Sequence, residues 1–157
     1  DRLGPFVDGL AVVKLNGNCG YINIDGEVVI PTIYEDAGDF QEGLAAVRVN
    51  GKWGFIDKTG VTIIPQIYDH VYKFQDGLAA AELNGKWGYI NKQGDFVIEP
   101  VFDSAASFSE GLAAVMVEDK NGSLWGYIDK SGKFVIEPKF IVAYDFSEGL
   151  APASMED

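Results

Sequence analysis

Residues 42–60 read Glu42-Gly43-Leu44-Ala45-Ala46-Val47-Arg48-Val49-Asn50-Gly51-Lys52-Trp53-Gly54-Phe55-Ile56-Asp57-Lys58-Thr59-Gly60. Ala45, Val47 and Val49 alternate with Leu44, Ala46 and Arg48, the period of two that a strand requires. Asn50-Gly51 follows at once. Both residue types tolerate positive φ, so the pair predicts a type I′ turn between two strands. The second strand, Lys52 to Asp57, runs into Asp57-Lys58-Thr59-Gly60. There an Asx side chain can cap its own turn and a glycine can take the left-handed position of a bulged loop.

Working outward, the same text recurs. Gly-Leu-Ala stands at Gly9, Gly43, Gly77, Gly111 and Gly149, with spacings of 34, 34, 34 and 38 residues. The last spacing carries an insertion around residues 118–123. Phe6, Phe40, Phe74, Phe108 and Phe146 each precede that glycine by three positions, and an acid always precedes it by one. Cys19, Trp53, Trp87 and Trp125 form a further column, each followed by glycine, an aromatic residue and isoleucine. A third strand is expected at Val28–Ile30, Val61–Ile64, Phe96–Ile98 and Phe134–Ile136, with Pro31, Pro65, Pro100 and Pro138 stopping it for want of a backbone donor. The stretch 67–74 is left as a short fourth strand or an irregular crossing.

The fold class is therefore all-β, built of tandem 34-residue hairpin repeats. The units fall at about 9–42, 43–76, 77–110 and 111–148, with partial units at both ends of one domain covering 1–157. A unit of three short strands cannot bury its own apolar faces, so stability must come from stacking. A propeller-like ring of blades and an open solenoid both satisfy that demand. Ending in mid-unit after Gly149-Leu150-Ala151, the chain reads either as part of a longer array or as closing on its first unit.

These residues resemble the bacterial WG-repeat family, also described as KWG repeats. The matching text is 42–60, again 76–94 and, with the insertion, 110–132. The first unit departs from the pattern, carrying Asn18-Cys19 where Lys-Trp is expected. The resemblance implies a bacterial repeat module and carries no catalytic residues over to this chain.

Composition sets the limits on function. The 157 residues are 47% apolar and 23% charged, the mixture of a folded protein rather than a disordered one. A net charge of −12 argues against nucleic acid and anionic membranes as partners. No apolar run reaches the roughly 18 to 20 residues of a membrane-spanning helix. No secretory leader is visible at Asp1, and the compartment is left open. A Ser-His-Asp or Cys-His set would have to use His70, the one histidine, which reads as a polar residue on a turn or edge. Cys19 reads as a packed thiol. The turns at Asp57, Asn91 and Asp129 offer one oxygen side chain beside a lysine, too few ligands for calcium, so no metal and no cofactor is expected.

The tryptophans read first as core between units. Positions that do not repeat carry more functional information, because stacking does not demand them. Tyr72, Tyr144 and the acids Glu118 and Asp119 of the insertion are the candidate binding residues. The leading expectation is a non-enzymatic scaffold for a protein partner. The alternative is a carbohydrate- or cell-surface-binding module using exposed aromatics. Glu35, Asp36 and Asp39 help to make the first unit strongly acidic, with one lysine against six acids.

Overall fold

The computed structural model describes residues 2–155; Asp1, Glu156 and Asp157 lie outside them. Among the described residues there is no helix. The first sheet holds β1 (Arg2–Leu3), β2 (Leu10–Leu15), β3 (Asn18–Asn23) and β4 (Val28–Tyr34), antiparallel and in chain order. The second holds β5 (Asp36–Ala37), β6 (Leu44–Val49), β7 (Lys52–Asp57) and β8 (Thr62–Tyr68). The third holds β9 (His70–Val71), β10 (Ala79–Leu83), β11 (Lys86–Ile90) and β12 (Phe96–Phe102). The fourth holds β13 (Ser104–Ala105), β14 (Leu112–Asp119), β15 (Gly122–Asp129) and β16 (Phe134–Phe140). A fifth, two-stranded sheet pairs β17 (Val142–Ala143) with β18 (Ala153–Ser154). Each sheet packs on the next, and none is closed into a barrel.

The turns follow the side chains that specify them. Asn50 and Gly51 have φ of 51° and 75°, the left-handed pair of a type I′ turn, and set the register Val49↔Lys52. The acid before each Gly-Leu-Ala and the glycine that opens it make a second tight turn. Glu42 (φ 52°) and Gly43 (φ 86°) sit between Gln41 and Leu44, which exchange both backbone hydrogen bonds. In the third turn Asp57 Oδ1 accepts from the backbone N–H groups of Thr59 and Val61. The insertion lengthens one hairpin, so β14 and β15 run to Asp119 and Gly122.

The prolines do not stop the third strand. β8 continues from Thr62 through Pro65 to Tyr68, and the other three sheets repeat the pattern. Trp53 pairs with Tyr68 and Phe55 with Ile64, so Pro65, Gln66 and Ile67 together oppose Gly54 alone. Proline is tolerated because this bulge lies on the outermost strand, where its missing donor breaks no ladder. Glycine is required opposite. A Cβ at Gly54 would stand 2.4 Å from the Ile64 carbonyl oxygen. The stretch 67–74 finishes β8 and then, after Asp69, supplies the short first strand of the following sheet.

The core lies between sheets. The aromatic residue two positions after the tryptophan column meets the phenylalanine that opens the next unit. Tyr21–Phe40, Phe55–Phe74, Tyr89–Phe108 and Tyr127–Phe146 have ring centroids 4.7 to 4.9 Å apart, tilted or edge-on. Three of these aromatics are tyrosines whose hydroxyls donate to carbonyls of the next sheet: Tyr21 to Gly38, Tyr89 to Ala106 and Tyr127 to Tyr144. Burial pushes the Tyr21 and Tyr89 hydroxyls well above the usual phenol range, so they stay protonated and donate. On the far edge, β4, β8 and β12 present Val29, Ile33, Ile63, Ile67, Val97 and Val101 to solvent.

Ion pairs tie the turns of successive sheets together. Lys58 reaches Asp8, Lys92 reaches Glu42, and Lys130 donates to the Asp76 carbonyl oxygen. The Glu42 carboxylate also accepts from Gly77 N–H, and Glu110 accepts from the N–H groups of Glu148 and Gly149. The lysines of the Asx turns, Lys58, Lys92 and Lys130, are therefore clamps between sheets.

A candidate binding groove

The tryptophans stand at the margin of the core, with Trp53 and Trp87 packed against the buried clusters. Tyr21, Phe55, Tyr89 and Tyr127 are buried, whereas Trp53, Trp87 and Trp125 are half-buried at the margin of the packed layer. Each indole lies near the segment that follows the first strand of its sheet. That segment is built alike throughout. The N–H of Gly38 donates to the Ala46 carbonyl, that of Tyr72 to Ala80 and that of Ala106 to Ala114.

Side chains on this common backbone decide what covers the indole. Tyr72 lays its phenol ring on Trp87, with centroids 5.1 Å apart and planes 19° from parallel. Gly38 and Ala106 occupy the same position beside Trp53 and Trp125 and bring no ring, although the Arg48 guanidinium, on the neighbouring strand, lies 5.7 Å from the Trp53 ring centroid. The result is a chain of shallow depressions. One of about 230 Å³ lies beside Cys19, between Gly4 and Gly38. A second, of about 340 Å³, lies at Trp53, bounded by Gly38, Asp39, Ala46, Val71, Tyr72, Lys73 and Ser107. A third, of about 320 Å³, lies at Trp125, bounded by Tyr72, residues 104–107 and Asp145. Neighbouring depressions share walls: Gly38 and Asp39 belong to the first two, Tyr72 and Ser107 to the last two. They form one groove across consecutive sheets.

The candidate residues fall in different places. Tyr72 is 46% exposed and forms the wall between the two tryptophan depressions. Tyr144 holds the equivalent position two sheets on and is 59% exposed, while its carbonyl takes the Tyr127 hydroxyl. Glu118 and Asp119 end β14 in the lengthened hairpin and do not line the groove. There the backbone N–H of Glu118 caps Asp103, and Asp119 Oδ1 accepts from Asn121 N–H. Sequence reasoning passed over Gly38, Ala106, Lys73 and Ser107. The signal lay in aligning the units and reading the column two residues before each phenylalanine.

The remaining polar groups support the scaffold. Asp69 takes the Lys52 ammonium and the Asn84 N–H, and Asp103 takes the Lys86 ammonium and the Glu118 N–H. These bonds hold both carboxyls below the usual range. Hydrogen bonds from the Thr59 and Ser131 hydroxyls lower Asp57 and Asp129 in the same way. His70 is exposed, its Nε2 3.8 Å from Glu82, and Cys19 is buried. Among the described residues, no three of His, Cys, Asp and Glu converge as metal ligands would.

Stacked four-stranded sheets with one motif per sheet define a tandem β-repeat module. The family described as WG containing repeat matches residues 1–19, 20–53, 53–87, 87–120 and 125–157, and the chain belongs to it. No curated protein and no solved structure matches the chain.

Proposed function

We propose that this repeat module is a non-enzymatic scaffold that binds a protein partner along the groove. The observation that carries the reading is the division of labour among its residues. The recurring glycines, prolines, buried aromatics and acids, and the turn lysines Lys58, Lys92 and Lys130, are engaged in turns, bulges and contacts between sheets. The variable column beside the half-buried indoles, Gly38, Tyr72 and Ala106, is not required in that way, because only its backbone is used alike in each sheet. Tyr72 and Tyr144 stand on this variable row, and a continuous concave surface across several repeats suits an extended segment. The net charge of −12 favours a partner with basic residues.

The test is site-specific photocrosslinking in cells of the source organism. A photoreactive residue at Lys73, in the groove, is compared with one at Glu27, an exposed position in the turn before β4. The reading expects a discrete protein adduct from position 73 and none from 27. Equal adducts at both positions, or none, refute it. A second reading, binding of carbohydrate, draws support from the half-buried indoles of Trp53 and Trp125, which border depressions where a pyranose can stack. Glycan-array binding lost in Tyr72→Ala or Tyr144→Ala would favour it, and a blank array would count against it.

A further inference from the structure

We infer that the indole faces of Trp53 and Trp125 are receptor sites for aromatic side chains of the bound segment, and that Tyr72 is the chain's own occupant of the intervening site. The inference deepens the protein-binding reading and rests on it. Its starting point is the equivalence of the three sites. The same backbone hydrogen bond fixes Gly38, Tyr72 and Ala106, and a tryptophan stands beside each. At the middle site a phenol ring lies nearly parallel on the indole at 5.1 Å. Trp87, beneath it, lines none of the three depressions, whereas Trp53 and Trp125 each line one. The molecule thus displays, in its own middle sheet, the kind of group its flanking sheets can hold.

Steric space and adjacency agree. A Cβ at Gly38 would meet nothing nearer than 3.8 Å, and φ there is not in the left-handed region, so the backbone accepts a side chain at this position. The depression at Trp53 therefore lacks a ring by choice of side chain at position 38, not because the backbone forbids one. Tyr72 and Ser107 border both depressions, so one extended segment passing over Tyr72 can reach both sites. The ligand is then a single segment with two aromatic residues, one for each site.

N-acetyl-tyrosinamide, titrated into the full ¹⁵N-labelled chain, is the probe, and the three indole N–H resonances are the readout. The expected result is a saturable shift, in the millimolar range of a single weak contact, at Trp53 and Trp125 but not at Trp87. Tyr72→Ala should make the Trp87 resonance respond, and Gly38→Tyr should abolish the response at Trp53. The inference is overturned if no indole moves or if all three move alike in the wild type. It is also overturned if methyl β-glucopyranoside moves Trp53 and Trp125 while the tyrosine amide does not. Crosslinking at position 73 with silent indoles would remove this inference and leave the protein-binding reading standing. Silence in both experiments removes both.

Discussion

Gly54→Ala isolates the contact that holds the outer strand of a sheet. The added methyl would lie 2.4 Å from the Ile64 carbonyl oxygen and 2.6 Å from the Pro65 carbonyl carbon. Both are backbone atoms of the bulge and cannot rotate aside, so β7 and β8 must part by about 1 Å to restore ordinary contact. Overpacking of this kind costs about 1 to 3 kcal/mol. The parting also strains the pairings Trp53↔Tyr68 and Phe55↔Ile64 on either side, and a lost backbone hydrogen bond adds about 1 kcal/mol. Ile64 and Tyr68, both buried, face the next sheet and would be displaced with the strand. The expected loss is about 3 kcal/mol. Gly38→Ala is the matched control, because its methyl has space and it removes chain entropy from the unfolded state, giving a change between about −0.5 and +1 kcal/mol of stability. Urea unfolding followed by indole fluorescence and by circular dichroism reads both, and coincident curves establish that the array unfolds as one unit. A Gly54→Ala protein within about 0.5 kcal/mol of wild type, a change ordinary for surface substitutions, would refute the account of the bulge. So would equal damage from the two substitutions.

Three further outcomes are expected. Asp57, Asp69, Asp103 and Asp129 have folded pKa values below the ordinary 3.8, so the unfolded chain takes up their protons first as pH falls. Their stabilisation is complete above the unfolded value and lost through the lowered folded values. Asp57→Asn should therefore keep its turn, as Asn91 does in the equivalent loop, and lose stability less steeply in acid; urea midpoints with the same pH slope as wild type would contradict this. Phe74→Ala, which empties a fully buried ring site, should cost about 3 to 5 kcal/mol, and Trp53→Ala, at a half-buried one, roughly half as much. Equal losses in paired urea melts would put the indole in the core. Cys19→Trp should be accepted within about 1 kcal/mol, because the depression of about 230 Å³ beside Cys19 gives the indole room; a melt lowered by several kcal/mol would show that the first sheet cannot house one.

Local chemistry made most of this fold legible in advance. Asn50-Gly51 adopts the two positive φ values its residue types imply, and the Asx-capped turn at Asp57 forms as written. Proline at 65 misled because its licence lies eleven residues earlier, in Gly54, and only pairing brings the two together. Tryptophan misled because a large aromatic beside a recurring glycine looks like core, whereas the glycine serves the bulge and the next aromatic takes the core. Two-residue strands such as His70–Val71 are too short to show alternation, so their membership of the following sheet could not be read. The groove was invisible for a further reason: it depends on a residue being small at Gly38 and large at Tyr72, and no single unit displays that contrast.

That contrast also separates folding from recognition. The segment after each first strand makes the same backbone bond in five sheets: Gly4 to Val12, Gly38 to Ala46, Tyr72 to Ala80, Ala106 to Ala114 and Tyr144 to Pro152. A position whose backbone does identical work while its side chain runs from nothing to a phenol is not being held by the fold. At Gly38 a Cβ would meet nothing nearer than 3.8 Å, and at Tyr72 a ring covers the indole of its own sheet, which Gly38 and Ala106 do not do in theirs. Differences in affinity for competing partners come from where contacts are offered and where they are withheld. A repeat array can set that pattern one sheet at a time, by the choice of residue at this column, without disturbing the stacking that holds the sheets together.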